Sequence, residues 1–152
     1  MIENKIKELG YNLPESQKPL AAYIPALKTG NYVYTSGQFP FLNGELKYAG
    51  KVGDDLTLEQ GQKAAELCAL NALSAIKGVI GDLEKIERII KVTVFVNSTD
   101  GFTDQPKVAN GASEFLGKIF GENGKHVRSA VGVSELPVNS AVEIEMIAEV
   151  KE

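Results

Sequence analysis

The chain is poor in the residues that build metal sites and disulfides. Among its 152 residues there is one cysteine, Cys68, and one histidine, His126. A single cysteine cannot form an internal disulfide, and neither residue type is present in the number that common zinc sites require. The sequence therefore predicts neither an internal disulfide nor a zinc site of these types.

The chain also lacks the sequence features of nucleic-acid-binding, membrane-spanning and secreted proteins. Tryptophan is absent, the net charge is -4, and no run of Lys or Arg stands out, which disfavours a nucleic-acid partner. No stretch approaches the roughly 18 consecutive apolar residues of a membrane span. The first ten residues, MIENKIKELG, are charged and lack the apolar centre of a signal peptide. We expect a soluble, cytoplasmic protein.

The length and a hydrophobic fraction of 43% fit a single domain over residues 1–152. The first 30 residues predict a short helix over 2–9, ended by Gly10, and then an extended arm that contains three prolines. Residues 31–38 (NYVYTSGQ) are rich in strand formers. Asn43-Gly44 then predicts a tight hairpin turn into residues 45–48.

The remaining elements alternate between helix and strand. A capping box of Thr57 and Gln60 predicts a helix over 58–77, and residues 86–96 (IERIIKVTVFV) predict a strand. Pro106 marks the first turn of a second long helix, ended by Gly121 or Gly124. Two last strands, 127–134 and 142–150, are predicted to form a hairpin. This β-β-α-β-α-β-β order predicts an α+β fold, a two-layer α/β sandwich in which two long helices cover one face of a mixed sheet.

The last two strands carry the pattern that points to a binding site. Alternation places Arg128 on one face with Ala130 and Gly132, all small neighbours that leave room on the guanidinium. Because guanidinium matches a carboxylate with two parallel donors, we expect a carboxylate ligand there. The alternative is a structural salt bridge to Glu143 or Glu145 on the neighbouring strand.

Aligning the apolar faces of these strands predicts a register and a second surface. Pairing Val131 with Ile144 leaves Arg128 and Glu143 on the order of 13 Å apart between backbones. Their side chains then either converge on one ligand or act in clefts completed by different subunits. Ala130, Gly132 and Ile147 are too apolar for free solvent and too small for a full core layer, which predicts an interface with other copies of the chain.

Four segments together resemble the RidA/YjgF/L-PSP superfamily of reactive-intermediate deaminases. They are Ser36-Gly37-Gln38, the TVFV strand, Arg128-Ser129 and Glu143-Ile144-Glu145. The N-terminal helix, the arm over 14–25 and the GFTDQPK segment resemble a longer subgroup. The resemblance implies a chorismate-mutase-like homotrimer with clefts between subunits and no cofactor. It also implies hydrolysis of 2-imino acids or their enamine tautomers (2-aminoacrylate, 2-iminopropanoate, 2-iminobutanoate) to 2-keto acids and ammonia.

The resemblance also implies roles for individual residues. Arg128 matches the arginine that holds the substrate carboxylate, and Glu143 matches the glutamate that positions or activates water. Ala130 stands where the archetype often has cysteine, which removes a thiol but keeps the backbone N–H expected to contact the ligand. The other implied contacts are Tyr23, which closes the cleft, Ser36 and Gly37, which line it, and Asn110 from the second helix.

Simpler roles compete with these assignments. Tyr23 could be a packed aromatic residue of the arm, Asn110 a surface residue and Glu143 part of a solvated strand face. His126, in a Gly-Lys-His loop, is interpreted as solvated, and Cys68 as a small core residue. The rival functions are a carboxylate-binding module without turnover, an endoribonuclease or translation inhibitor, and a chaperone-like holdase. An acidic isoelectric point of about 5.2 disfavours the nuclease.

Overall fold

Helix boundaries follow the local signals in the sequence. The computed structural model describes residues 1–16 and 22–152, with α1 at Ile2–Glu8, α2 at Leu58–Ile80 and α3 at Gln105–Phe120. The predicted capping box opens α2: Gln60 N donates to Thr57 Oγ1 at 3.2 Å, and Thr57 N donates to Gln60 Oε1 at 2.9 Å. Gly121 ends α3, one of the two predicted ends.

Seven strands accompany the helices within the described residues. Five of them form the main sheet: β1 at Ala26–Thr29, β2 at Tyr32–Thr35, β5 at Ile86–Asn97, β6 at Val127–Val133 and β7 at Val142–Val150. The Asn43-Gly44 turn joins a small separate ladder of β3 at Phe41–Leu42 and β4 at Glu45–Leu46. The β-β-α-β-α-β-β order and the mixed α/β fold are confirmed, but β1 falls in the predicted arm and β4 belongs to the small ladder.

The strand order corrects one pairing. The main sheet runs β1-β2-β7-β5-β6, and only β5 and β6 are parallel. A parallel pair needs a long crossover, which α3 supplies, so β6 joins the outer edge of β5. The predicted hairpin of the last two strands is therefore wrong, as is its pairing of Val131 with Ile144. Instead, Ala130 and Ile144 lie opposite Val94 from its two sides.

Both long helices pack on one face of the sheet. The alternating residues of β7 that face them are buried, as predicted, from Val142 through Ala148 to Val150. Cys68 is also buried in this core, as expected. No helix within residues 1–16 and 22–152 is both long and apolar enough to cross a membrane.

The other face, called the open face below, carries exposed apolar residues. Across the five strands, one row of partners is Leu27, Tyr34, Ile147, Lys91 and Val127, and Leu27 is 55% and Val127 64% exposed. The row thus includes Ile147, one of the three residues predicted for this face.

Ala130 and Gly132 do not lie on the open face, so this part of the prediction is wrong. Ala130 and Gly132 lie on the helix side of the sheet, where Ala130 packs against the core and Gly132 approaches Gln105 of α3. The apolar Val127 and Val131 occupy the exposed side of β6. Because β6 is an edge strand beside α3, its inward positions remain partly open and do not need large apolar side chains.

Candidate functional site

Arg128 lies on the helix side of the edge strand β6 and reaches α3. Its Nη1 atom donates to Asn110 Oδ1 at 2.8 Å and to Ser113 Oγ at 3.1 Å. These two bonds use both hydrogens of Nη1. Among the described residues, no carboxylate forms an ion pair with Arg128 and no acceptor bonds its Nε–H or Nη2 hydrogens. One edge of the guanidinium, with its parallel donors, is therefore available to a ligand.

The surroundings of Arg128 are shallow and open. The side chain borders an open depression of about 400 Å³ that lies between α3 and the start of β6. Its lining residues are Ser113, Gly117, Gly124, Lys125, His126 and Arg128. Ala130 follows two residues later on the same face, so its small side chain leaves this end of the edge strand uncovered.

His126 is not the solvated loop residue that the sequence suggested. It is half-buried, and both ring nitrogens are bonded: Nδ1 lies 2.7 Å from Gly124 O and Nε2 lies 2.9 Å from Ser113 Oγ. Burial lowers the pKa of His126, the hydrogen bond to Gly124 opposes that shift, and the charge of Arg128 adds to it. The imidazole is therefore neutral at physiological pH.

Ser113 is a site residue that sequence reasoning missed. It lies three positions after Asn110 on α3, so both side chains project from one face of the helix toward β6. The helical spacing of Asn110 and Ser113 could have indicated that both contact Arg128. That inference, however, requires knowing that α3 packs beside β6.

A second group of predicted residues lies elsewhere in the chain. Tyr23, Ser36 and Gly37 line a cavity of about 410 Å³ that begins where β2 ends. Ser36 donates to the carbonyl of Pro25 at 3.1 Å, and Tyr23 is 62% exposed at the rim. The other lining residues are Pro14, Glu15, Pro25, Gln38, Phe39, Phe41, Asn71, Ser74, Ala75 and Val138.

Glu143 belongs to this second group through Gly37. Alternation along β7 places Glu143 on the open face, opposite Phe95. Its carboxylate occupies the space where a Cβ at residue 37 would stand, so only glycine permits this approach. Partial burial, reinforced by the negative charge of Glu145, raises the pKa of Glu143. No described residue forms an ion pair with it.

Arg128 and Glu143 do not meet within one chain. They lie on opposite faces of the sheet, on strands separated by β5, and Arg128 is level with Met146 rather than Glu143. Two strand spacings and three residues of offset place their backbones roughly 14 Å apart. The alternative of a salt bridge across a hairpin is therefore wrong. Two half-sites remain: the Arg128 group with Asn110 and Ser113, and the Glu143 group with Gly37, Ser36 and Tyr23.

Neither half-site gathers metal ligands. Within the part of the chain that the structure describes, no three His, Cys, Asp or Glu side chains cluster as a metal would require. The Arg128 group offers donors to an anion, whereas the Glu143 group offers one carboxylate next to Gly37, a residue that also lines the cavity. The arrangement suits a small carboxylate ligand and acid–base chemistry at its other end.

The two-layer sandwich, with paired helices on one face of a mixed sheet, defines a chorismate-mutase-like protein. A family model described as "YjgF/chorismate_mutase-like, putative endoribonuclease" matches residues 3–150, and the chain belongs to this RidA/YjgF family. The resemblance drawn from the four sequence segments is thereby confirmed.

Two curated relatives differ in how specifically they are named. "Protein TCP17" of Trypanosoma cruzi is 40% identical over 145 residues, covering 95% of this chain and 91% of that protein. A "2-iminobutanoate/2-iminopropanoate deaminase" of Dermatophagoides farinae is 30% identical over 135 residues, covering 88% and 90%.

Solved structures share the fold at two levels of similarity. The Agrobacterium tumefaciens protein Atu1372, described as having unknown function, superposes with a TM-score of 0.94 at 44% identity, covering 99% of this chain and 92% of that chain. TdcF of E. coli with bound serine gives a TM-score of 0.62 at 27% identity, covering 91% and 94%.

Proposed function

We propose that this protein hydrolyses 2-imino acids, or their enamine tautomers, to 2-keto acids and ammonia in clefts between copies of the chain. The observation that carries the proposal is the guanidinium of Arg128. It is held by two neutral acceptors and leaves one donor edge without a partner among the described residues. A buried or half-buried cation with neutral neighbours favours an anionic ligand, since its charge is otherwise uncompensated.

The reaction asks the protein mainly to hold the substrate and place water. In a protonated imino acid, the carbon next to the carboxylate is already electrophilic. Water adds to this carbon as a base takes its proton, and the resulting carbinolamine expels nitrogen. The balance is R–C(=NH₂⁺)–COO⁻ plus water giving R–CO–COO⁻ plus ammonium. This scheme requires no covalent nucleophile, metal or cofactor.

Glu143 is the proposed base. Burial of its carboxylate, with the negative charge of Glu145, raises the pKa of Glu143, and a raised pKa favours proton transfer near neutral pH. The same group can return the proton to the departing nitrogen. Gly37 leaves room for this carboxylate and also lines the cavity with Ser36 and Tyr23, which would contact the remainder of the substrate.

The separation of the two half-sites favours an assembly. One chain places Arg128 and Glu143 on opposite faces of the sheet, so a single copy cannot bring both to a small substrate. The row of exposed apolar residues from Leu27 to Val127 supports burial of the open face against another copy of the chain. We propose a homotrimer in which the Arg128 group of one subunit faces the Glu143 group of its neighbour.

Two relatives support the chemistry. The D. farinae relative carries the name of a 2-iminobutanoate and 2-iminopropanoate deaminase. The TdcF structure contains serine, which has a carboxylate next to a nitrogen-bearing carbon, as an imino acid does. Substrates of the same kind would fit the donor edge of Arg128.

A carboxylate-binding module without turnover is the second candidate. It is favoured by one specific observation: Arg128, Asn110 and Ser113 form an anion-binding group that is complete within one chain and independent of Glu143. Such a module would bind 2-keto acids through the same arginine and leave imines untouched.

The test is the decay of 2-iminopropanoate and 2-iminobutanoate generated in situ by an amino-acid oxidase. Wild type is expected to accelerate decay of both, and Arg128→Ala to lose the acceleration. Arg88→Ala is the matched control, because Arg88 is exposed and bonds only the carbonyl of Lys125 among described residues. No acceleration by folded wild type, or equal loss in both variants, would overturn the deaminase proposal.

A further inference from the structure

A directed chain of hydrogen bonds ends on Arg128. The carbonyl of Gly124 can only accept, so Nδ1 of His126 carries a proton and donates to it at 2.7 Å. In the neutral ring, Nε2 is then an acceptor, and it takes the hydroxyl hydrogen of Ser113 at 2.9 Å. The Ser113 oxygen is left to accept from Nη1 of Arg128 at 3.1 Å.

We propose that His126, acting through Ser113, is a positioning residue that fixes the guanidinium of Arg128 for carboxylate capture. The inference rests on the proposed function only for the identity of the ligand. The neutral ring orients the Ser113 hydroxyl, so that its oxygen faces Nη1. With Nη1 held by Ser113 and Asn110, the edge formed by Nε and Nη2 is presented to the ligand.

A fixed guanidinium matters because arginine is long and flexible. Ordering such a side chain on binding costs conformational entropy, and a side chain already held in its bound geometry avoids much of that cost. Ser113 alone would not suffice, since a free hydroxyl rotates and can present its hydrogen to Arg128. The ring nitrogen of His126 removes that freedom.

Protonation of His126 would reverse the direction of the hydrogen bond between its Nε2 and Ser113 Oγ. An imidazolium donates through both nitrogens, so Ser113 Oγ would face two donors, and the positive ring would repel Arg128. Burial and Arg128 keep the ring neutral at physiological pH. The other charged groups on the elements packed around the ring are Lys125 and its partner Glu122, Arg88 from β5, which reaches the Lys125 carbonyl, and the exposed Glu114 and Lys118 of α3.

The first test needs no ligand. His126 is the single histidine of the chain, so its ring ¹⁵N signals in a long-range ¹H–¹⁵N spectrum assign themselves. At pH 7.5 we expect protonated Nδ1 and unprotonated Nε2, with the Nε2 signal displaced in Ser113→Ala and unmoved in the exposed control Ser134→Ala. The opposite tautomer, a charged ring, or an Nε2 signal indifferent to Ser113→Ala would overturn the inference.

The second test measures capture. With 2-oxobutanoate as the probe in calorimetry, His126→Leu and Ser113→Ala should each weaken binding about five- to tenfold, as expected for one hydrogen bond. The double variant should be no weaker than the weaker single variant, because His126 acts through Ser113. His126→Gln should restore most of the affinity, since its amide oxygen can accept from Ser113 without titrating. Additive losses, or no loss, would overturn the inference.

The two proposals fail in different ways. If wild type binds no 2-oxobutanoate, the carboxylate site itself is wrong, and the positioning claim is then decided by the side-chain ¹⁵N signals of Arg128. The chain has two arginines, so Arg88→Ala assigns them. Restricted rotation of the Arg128 guanidinium, lost in both Ser113→Ala and His126→Leu, would support positioning. Unchanged rotation in either variant would overturn it.

Discussion

The two faces of the main sheet carry different halves of the candidate chemistry. On the helix-covered face, Arg128 is held by Asn110 and Ser113 from its own chain, so the anion-binding group is complete in one copy. On the open face, Glu143 is half-buried and lies against Gly37, opposite Phe95. Under the proposed function, binding and catalysis depend differently on assembly: one copy would hold a carboxylate, whereas hydrolysis would need a second.

Removing the base is expected to have the largest effect. Glu143→Gln should lower kcat for 2-iminobutanoate by roughly 10²–10⁴-fold, the usual contribution of general acid–base catalysis. The Kd for 2-oxobutanoate should stay close to wild type, because the carboxylate is held by the other half-site. Equal loss of binding and turnover would place Glu143 in the anion-binding group and contradict the division.

Replacing Arg128 with another cation should lower activity less than removing the base. Arg128→Lys keeps a cation but loses the parallel donors and the two bonds from Nη1, so we expect about a 30-fold drop in kcat/KM, mostly through KM. Steady-state kinetics on both imines check it, with Arg88→Lys as the matched control. Full activity in Arg128→Lys would mean that charge alone suffices and that the fixed guanidinium is irrelevant.

Gly37→Ala tests the position of the Glu143 carboxylate without deleting it. A Cβ at residue 37 would overlap that carboxylate, which is the free end of a flexible side chain and can shift. We expect a folded protein whose kcat falls about tenfold, the scale of one lost favourable contact in the transition state. In the Glu143→Gln background, Gly37→Ala should cost little more. A full additional tenfold loss there would show that Gly37 acts independently.

The smallest predicted effect is on stability. Burial and Glu145 raise the pKa of Glu143 in the folded protein. A raised folded pKa gives stability that is present below the unfolded pKa and is lost as pH rises through the folded value. The glutamine of Glu143→Gln does not titrate. The Tm of the variant should therefore rise relative to that of wild type as the pH increases from 4 to 7. A constant Tm difference across that range would mean that the carboxyl is not perturbed by folding.

Local signals explain why much of the fold was predictable. The capping box at Thr57 and Gln60, Pro106 and Gly121 each act within a few residues, and the core face of β7 follows from strict alternation. Strand pairing does not follow from local signals. The placement of β5 between β6 and β7 depends on the α3 crossover, and no residue of the last two strands indicates it. The predicted hairpin and its register failed for that reason.

The site was predictable in composition but not in layout. Alternation correctly grouped Arg128 with Ala130, yet it could not tell which side of β6 faces the helices, because the exposed side carries Val127 and Val131. The links through Ser113 and His126 depend on contacts between α3, the loop before β6 and β6 itself. Such contacts between distant segments leave no pattern in the local sequence.

Subunit mixing tests the central claim most directly. Co-expressed Arg128→Ala and Glu143→Gln chains, carrying different tags, would form mixed trimers that can be purified and assayed on 2-iminobutanoate. If each cleft takes Arg128 from one subunit and Glu143 from its neighbour, the purified mixed trimers should show about a third of wild-type activity, because one of the three clefts in each receives both intact residues. Activity no higher than that of the separate variants would contradict the division, since it would mean that each cleft draws both residues from one chain.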